Sequence, residues 1–196
     1  MPSRTAEKIK QVSLRLFAQE GYDGASLSKI TDEVGIRKSS LYNHFKNKEA
    51  LFLTLVDDVY ARYVAELNET VHEGADDESV DTTLHKAFIM TTDFLRKEEV
   101  GRFYMHFLLF PPKDLKLSVH ERFLRFEEEL NLVLLPVITR GMNDRAIEKS
   151  SPADVLDAFY CVLDGISAQM FYYDPDTVNR KRQHAWNVFW RGIRAD

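Results

Sequence analysis

Residues 26–52 read SLSKITDEVGIRKSSLYNHFKNKEALF, and this stretch decides the fold. Its apolar residues recur three or four positions apart, which is the spacing of short amphipathic helices that bury one side. The apolar positions are Leu27, Ile30, Val34, Leu41 and Phe45. Gly35 stands just after the first group, where a helix commonly ends in a left-handed turn. The pattern therefore predicts two short helices, the second over residues 39–45, joined by a tight turn.

Two short helices in this arrangement have the geometry of a helix-turn-helix, whose second helix presents its exposed side to the major groove of DNA. Groove reading needs donors and acceptors on that side, and an amide, guanidinium or ammonium group can pair with base edges or phosphates. The candidate DNA-contacting residues are Ser26, Ser28, Arg37, Lys38, Ser39, Ser40, Tyr42, Asn43, His44, Lys46 and Lys48. Three alternatives stay open. Tyr42 could instead cover the helical core, His44 could be a solvated or core-edge histidine, and Lys46 and Lys48 could be ordinary surface lysines.

The stretch from about residue 5 to residue 55 resembles the DNA-binding signature of the TetR family of bacterial regulators. The matching residues are Phe17, Gly21, Tyr22, Ser26, Ile30, Val34, Gly35, Ile36, Leu41, Tyr42, His44, Phe45, Lys48, Glu49 and Leu51. The resemblance implies that Tyr42, His44 and Lys48 contact phosphates. It places Arg37, Lys38 and Asn43 nearer the bases. Asp32 and Ser39 depart from the family pattern, which usually has a small apolar residue and often a glycine at these positions.

The resemblance also implies the organisation of the whole protein. It predicts a helix-turn-helix domain over residues 1–48 and a helical ligand-binding and dimerisation domain over residues 49–196. It implies a homodimer in which the last two helices of each subunit form a four-helix bundle. The expected partners are a double-stranded DNA operator and a small-molecule effector.

The charge of the chain is distributed in a way that fits this organisation. The 196 residues carry a formal net charge of −5. Residues 1–50 hold nine basic and six acidic side chains, giving +3, whereas residues 51–196 hold seventeen and twenty-five, giving −8. We call the domain predicted over residues 1–48 the head. A basic head followed by an acidic remainder of the chain is expected when only the head contacts DNA phosphates.

The remaining sequence predicts an all-α fold, since it shows no alternation typical of strands. Asn47 is a candidate cap for a long fourth helix, and Pro136 is expected to kink or end a helix over residues 116–142. No stretch of eighteen apolar residues predicts a membrane span, and no signal peptide is recognised. With Cys161 as the single cysteine, we expect a cytoplasmic protein without a disulfide framework.

An aromatic-rich segment follows the predicted head and suggests a pocket for an apolar or cationic ligand. The candidate ligand-binding residues are Phe88, Phe94, Phe103, Tyr104, Phe107 and Asp164. The alternative, favoured for any single ring, is that these rings simply fill the core. Asp164 interrupts an apolar run, so it either lies buried and serves a partner or ligand, or lies on the exposed side of its helix.

Near the end of the chain, four large apolar residues form a helical stripe, namely Trp186, Phe189, Trp190 and Ile193. Large aromatic residues at a chain end often mark an interface, which predicts a role in dimerisation. The alternative is that they pack within one subunit.

The sequence lacks the motifs of common enzymes, cofactor sites and helical metal sites, so we expect no enzyme, no cofactor and no metal. Two other functions remain open. One is a constitutive DNA-binding protein without an effector, and the other is a helical small-molecule-binding protein whose head is only structural.

Overall fold

The computed structural model describes residues 3–73, 78–148 and 151–195. Those residues form α-helices joined by short connections, which confirms the all-α prediction. The helices are α1 (Arg4–Gly24), α2 (Leu27–Val34), α3 (Lys38–Tyr42), α4 (Lys48–His72), α5 (Val80–Arg96), α6 (Glu98–Leu109), α7 (Lys116–Asn143), α8 (Pro152–Gln169) and α9 (Pro175–Ile193). A short 3-10 helix, Lys113–Leu115, precedes α7. Within the described ranges, no helix is both long enough and apolar enough to span a bilayer.

The helix-turn-helix forms where the sequence predicts it. The hydroxyl of Ser26 accepts a hydrogen bond from the Lys29 amide at 3.2 Å and so caps α2. Gly35 closes the same helix at φ +78°, in the left-handed region that glycine adopts without steric cost. Regular α3 ends earlier than predicted, at Tyr42, but one more turn follows because the Phe45 amide donates to the Leu41 carbonyl at 3.0 Å.

Local signals also set the two helices that flank this motif. Gly21 breaks α1 with φ +71°, and one further turn carries the chain to Gly24. The side-chain oxygen of Asn47 accepts a hydrogen bond from the Ala50 amide at 2.7 Å. Asn47 therefore caps α4 as predicted.

The chain divides into two compact units that differ from the predicted domains. The first unit consists of Met1–Arg62 and Lys97–Arg125, and the second of Tyr63–Arg96 and Phe126–Asp196. The first unit thus contains the predicted head together with the start of α4, all of α6 and the start of α7. Segments distant in sequence join the head because α6 packs directly against α1.

Aromatic rings hold α1, α4 and α6 together in the first unit. The ring centroids of Phe17 and Phe52 lie 5.3 Å apart, and those of Phe52 and Phe103 lie 5.4 Å apart. Both pairs meet edge to face, an arrangement that aromatic rings prefer and that adds to the burial of their surface.

In the second unit, α9 packs its aromatic side inward. Trp186 is 4% exposed and Phe189 is 8% exposed. Trp186 lies 5.5 Å from Phe88, and Phe189 lies 5.8 Å from Phe159, between ring centroids. The assignment of Trp186 and Phe189 to a dimer interface is therefore corrected: their rings fill the core of the second unit, because α5 and α8 supply the apolar surface that they need.

Pro136 does not end α7, because the helix continues through it to Asn143. α8 begins at Pro152 and ends at Gln169. Asp174 caps α9 by accepting a hydrogen bond from the Thr177 amide at 2.9 Å.

The left-handed turn at Gly35 generates a stability prediction. Gly35→Ala should lower the free energy of unfolding by about 1–2 kcal/mol, because an L side chain is strained at positive φ. Gly35→Asn is the matched control and should lose less, since asparagine tolerates this conformation. Urea unfolding followed by circular dichroism measures both, and equal stability of Gly35→Ala and the natural chain would contradict the argument.

Candidate nucleic-acid interface

The structure places the predicted recognition residues on the surface of the first unit. Leu41 is fully buried and Phe45 is nearly so, and these two anchor the α3 region to the core. The exposed candidates are Ser26, Ser28, Arg37, Lys38, Ser39, Tyr42, Asn43, His44 and Lys46, while Ser40 and Lys48 are half-buried. Tyr42 is 51% exposed, so it does not serve mainly as a cover for the core. Polar groups therefore lie opposite a rigid apolar anchor, which is the arrangement that groove reading requires.

The basic residues of this region fall into two groups. Lys8, Lys10, Arg15 and Lys29 are held by acceptors of the same unit. For example, the Nζ atom of Lys10 lies 2.9 Å from Oδ2 of Asp58, and the Nζ atom of Lys29 lies 2.6 Å from Oε2 of Glu20. By contrast, Arg37, Lys38 and Lys46 form no ion pair with any of the described residues. Three unneutralised cations thus lie around α3, where a DNA phosphate would supply the balancing negative charge.

Lys48 has a support that the sequence did not reveal. Its ammonium lies 4.3 Å from the centroid of the Tyr22 ring, within the range of a cation–π interaction. Partial burial lowers the pKa of Lys48, while the charge of Asp23 acts in the opposite direction. A phosphate at this position would supply negative charge to an ammonium that has lost part of its hydration.

The sequence identifies Tyr22 only as a residue that matches the family pattern. Its contact with the Lys48 ammonium becomes visible only in the structure. Its ring packs 4.9 Å from Phe52, between centroids, and so belongs to the aromatic cluster of the first unit. Nothing in the spacing of Tyr22 and Lys48 predicts their contact, since the broken end of α1 and the start of α4 are brought together only by folding.

The two departures from the family pattern lie on the surface. Asp32 is exposed on α2, so its carboxylate stays hydrated and costs the core nothing. Ser39 is exposed at the start of α3 and adds a hydroxyl to the polar face.

The candidate ligand residues are distributed over both units. Phe103 and Phe107 line a cavity of about 300 Å³ in the first unit, and Tyr104 is buried in the same unit beside Phe107. Phe88 and Phe94 are buried in the core of the second unit.

Asp164 is exposed on α8, so of the two predicted alternatives the exposed position is the one that the structure shows. Partial loss of water around its carboxyl raises the pKa of Asp164, and the negative charge of Glu127 raises it further. Trp190 and Ile193, the other two candidates for a dimer interface, are half-buried.

Comparison with known proteins concerns first the helix-turn-helix region. Residues 9–55 match the sequence model described as bacterial regulatory proteins, tetR family. The match spans 47 of the 196 residues. The same region is similar to IcaR of Staphylococcus epidermidis, a negative transcriptional regulator of the biofilm operon icaADBC, with 36% identity over 58 residues. That match covers 30% of the chain and 31% of IcaR.

Solved structures share the fold over nearly the whole length of this chain. A protein of Mesorhizobium loti described as a TetR-family transcriptional regulator superposes with a TM-score of 0.79 at 17% identity, covering 99% of this chain and 100% of that one. FadR of Bacillus subtilis, solved in complex with stearoyl-CoA, gives a TM-score of 0.76 at 14% identity and covers 95% and 98% of the two chains. Identities this low show a shared fold.

The position of Lys48 generates a prediction about salt. Lys48→Ala should weaken binding to all DNA sequences alike and should reduce the slope of log affinity against log salt by about one per lost phosphate contact. Lys29→Ala is the matched control, because Lys29 is already paired with Glu20 and should leave the slope nearly unchanged. Fluorescence anisotropy across a salt series measures both slopes, and equal slopes for the two variants would remove Lys48 from the phosphate contacts.

Proposed function

We propose that this protein is a sequence-specific DNA-binding transcriptional regulator, and that it acts as a repressor released from a palindromic operator by a small hydrophobic ligand. The observation that carries the proposal is the exposed α3 face, where unpaired cations and an exposed amide surround a helix anchored by Leu41 and Phe45. A face of this composition is suited to DNA, because it offers positive charge for phosphates and directional groups for bases.

The proposed contacts fall into two kinds. Tyr42, His44 and Lys48 are assigned to phosphates, which position the protein without reading sequence. Asn43 and the two basic residues at the start of α3, Arg37 and Lys38, are assigned to base edges. Asparagine can pair with two atoms of adenine, and arginine or lysine can contact guanine in the major groove. Asn43 is exposed at the end of α3, so its amide is available for such pairing.

Repression and ligand release are supported by the relatives. IcaR is a negative regulator, and its similarity to this chain lies in the DNA-binding domain. FadR of Bacillus subtilis has this fold and holds stearoyl-CoA, so the fold accommodates an apolar effector. Release follows if the ligand binds the free protein more tightly than the operator complex, since linkage then requires the ligand to weaken DNA binding by the same factor.

A homodimer completes the proposal, because a two-fold dimer presents two recognition helices to the two halves of a palindrome. With Trp186 and Phe189 committed to the core, the outer sides of α8 and α9 are left for a partner. Small residues are exposed along α8 at Ala158, Cys161 and Gly165, and Val188 is 63% exposed on α9. Small residues let helices of two subunits approach closely.

Selection of bound sequences from a random DNA pool tests the DNA-binding function. The natural chain should select an inverted repeat with half-sites about one helical turn apart, or slightly more. Asn43→Ala should relax the preference at one position of each half-site and cost about 1–3 kcal/mol at the selected sequence. Asp32→Asn, on an exposed position of α2, is the matched control and should select the unchanged consensus. An unchanged consensus with Asn43→Ala would remove its base-reading role, and no enrichment at all would leave a head with a purely structural function.

The dimer surface has its own test by sedimentation velocity. Val188→Asp should shift the protein from dimer to monomer, because it puts a charge into the proposed apolar contact. Leu132→Asp is the matched control, since Leu132 is 76% exposed on α7 and lies outside the proposed surface. If Val188→Asp remains dimeric, the outer side of α9 is not the interface.

A further inference from the structure

The first unit contains a cavity of about 300 Å³ between the broken end of α1, the start of α4 and the end of α6. This volume lies at the lower end of the range of small-molecule sites, about 300–1,000 Å³. Its walls include Phe17, Phe52, Phe103 and Phe107, each no more than 3% exposed. Edge-to-face contacts fix these rings, so the apolar wall is already formed in the free protein.

The lining itself is close to neutral, because Asp23 is offset by Lys113 and Glu20 is paired with Lys29 at 2.6 Å. The negative charge lies on the Tyr22 side of the cavity. Burial raises the pKa of the Tyr22 hydroxyl, and three neighbouring carboxylates raise it further. Those carboxylates belong to Glu49, Asp23 and Asp114. Aromatic faces next to an excess of carboxylates attract organic cations, which combine an apolar body with a positive charge.

The cavity shares one wall with the proposed phosphate contact. Tyr22 lines it, and the Lys48 ammonium lies over the same ring at 4.3 Å from the centroid. A cation bound against Tyr22 competes with Lys48 for the electrons of that ring and repels its ammonium. The bound cation also attracts DNA, but salt screens that attraction. Lys48 displaced from the ring loses a direct charge-assisted contact with the DNA phosphate.

We propose that this cavity is the effector site for a compact aromatic cation, and that its occupation weakens operator binding by displacing Lys48. The inference rests on the proposed function and deepens it. It names the chemical class of the effector, a site within the DNA-binding unit itself, and the side chain through which the two sites are coupled.

The binding test uses phenyltrimethylammonium and its neutral isostere tert-butylbenzene, titrated by calorimetry into the full-length protein without DNA. The cation should bind saturably with a stoichiometry of one per chain, and about two- to fivefold more tightly than the isostere. Asp23→Asn should weaken binding of the cation by about two- to fivefold and leave the isostere unaffected. Asp32→Asn removes an exposed carboxylate of the same unit away from the cavity, and it should change neither. Absence of binding, or equal loss with both variants, overturns the site.

The coupling test measures affinity for the selected operator by fluorescence anisotropy with and without saturating phenyltrimethylammonium. Operator binding should weaken about fivefold or more. Tyr22→Phe keeps the ring under Lys48 and should keep this factor, whereas Tyr22→Leu removes the ring and should bring the factor close to one. An unchanged or strengthened operator affinity with the natural chain overturns the coupling.

The two proposals fail in different ways. If no DNA sequence is selected from the random pool, the proposed function fails, and calorimetry on the free protein still decides the cation site. If an operator is selected but the cation does not bind, the function stands and the cavity is only a gap in the packing of the first unit.

Discussion

The aromatic cluster of Phe17, Phe52 and Phe103 is the interaction on which the first unit depends. These rings come from α1, α4 and α6, and their edge-to-face packing joins the helix-turn-helix to helices that follow it in the chain. Because each ring is buried, a shift of one helix would open a void or force another ring to move. The recognition surface is therefore held by a core that extends well beyond the first fifty residues.

This constraint changes how the protein can be regulated. A head tethered by a flexible linker would have to receive a ligand signal from elsewhere, whereas here α6 is part of the same packed unit as α1. A site among these helices would act on the proposed DNA-binding surface through a single side-chain contact. The link between Tyr22 and Lys48 offers such a route, since one ring borders both the cavity and the proposed phosphate contact.

The distribution of charge follows the same logic. Most basic residues on α1 and α2 are used internally, where Lys10, Arg15 and Lys29 bind carboxylates of their own unit. The basic residues around α3 have no such partners among the described residues and remain available to an external anion. Net charge alone would have suggested a poor DNA binder, but it is the placement of a few unpaired cations that creates a surface for phosphate.

The sequence by itself determined the helix-turn-helix, because its signals act over only a few residues. The cap at Ser26, the left-handed Gly35 and the buried pair Leu41 and Phe45 are all readable from local spacing and residue type. The exposed recognition face followed from the same pattern. Only the tertiary structure decided that Lys48 lies over Tyr22, since that contact joins separate helices. It likewise decided that Trp186 and Phe189 face their own core and that Asp164 lies outside it. A helical stripe shows which residues share a side, whereas what covers that side depends on helices brought together from distant parts of the chain.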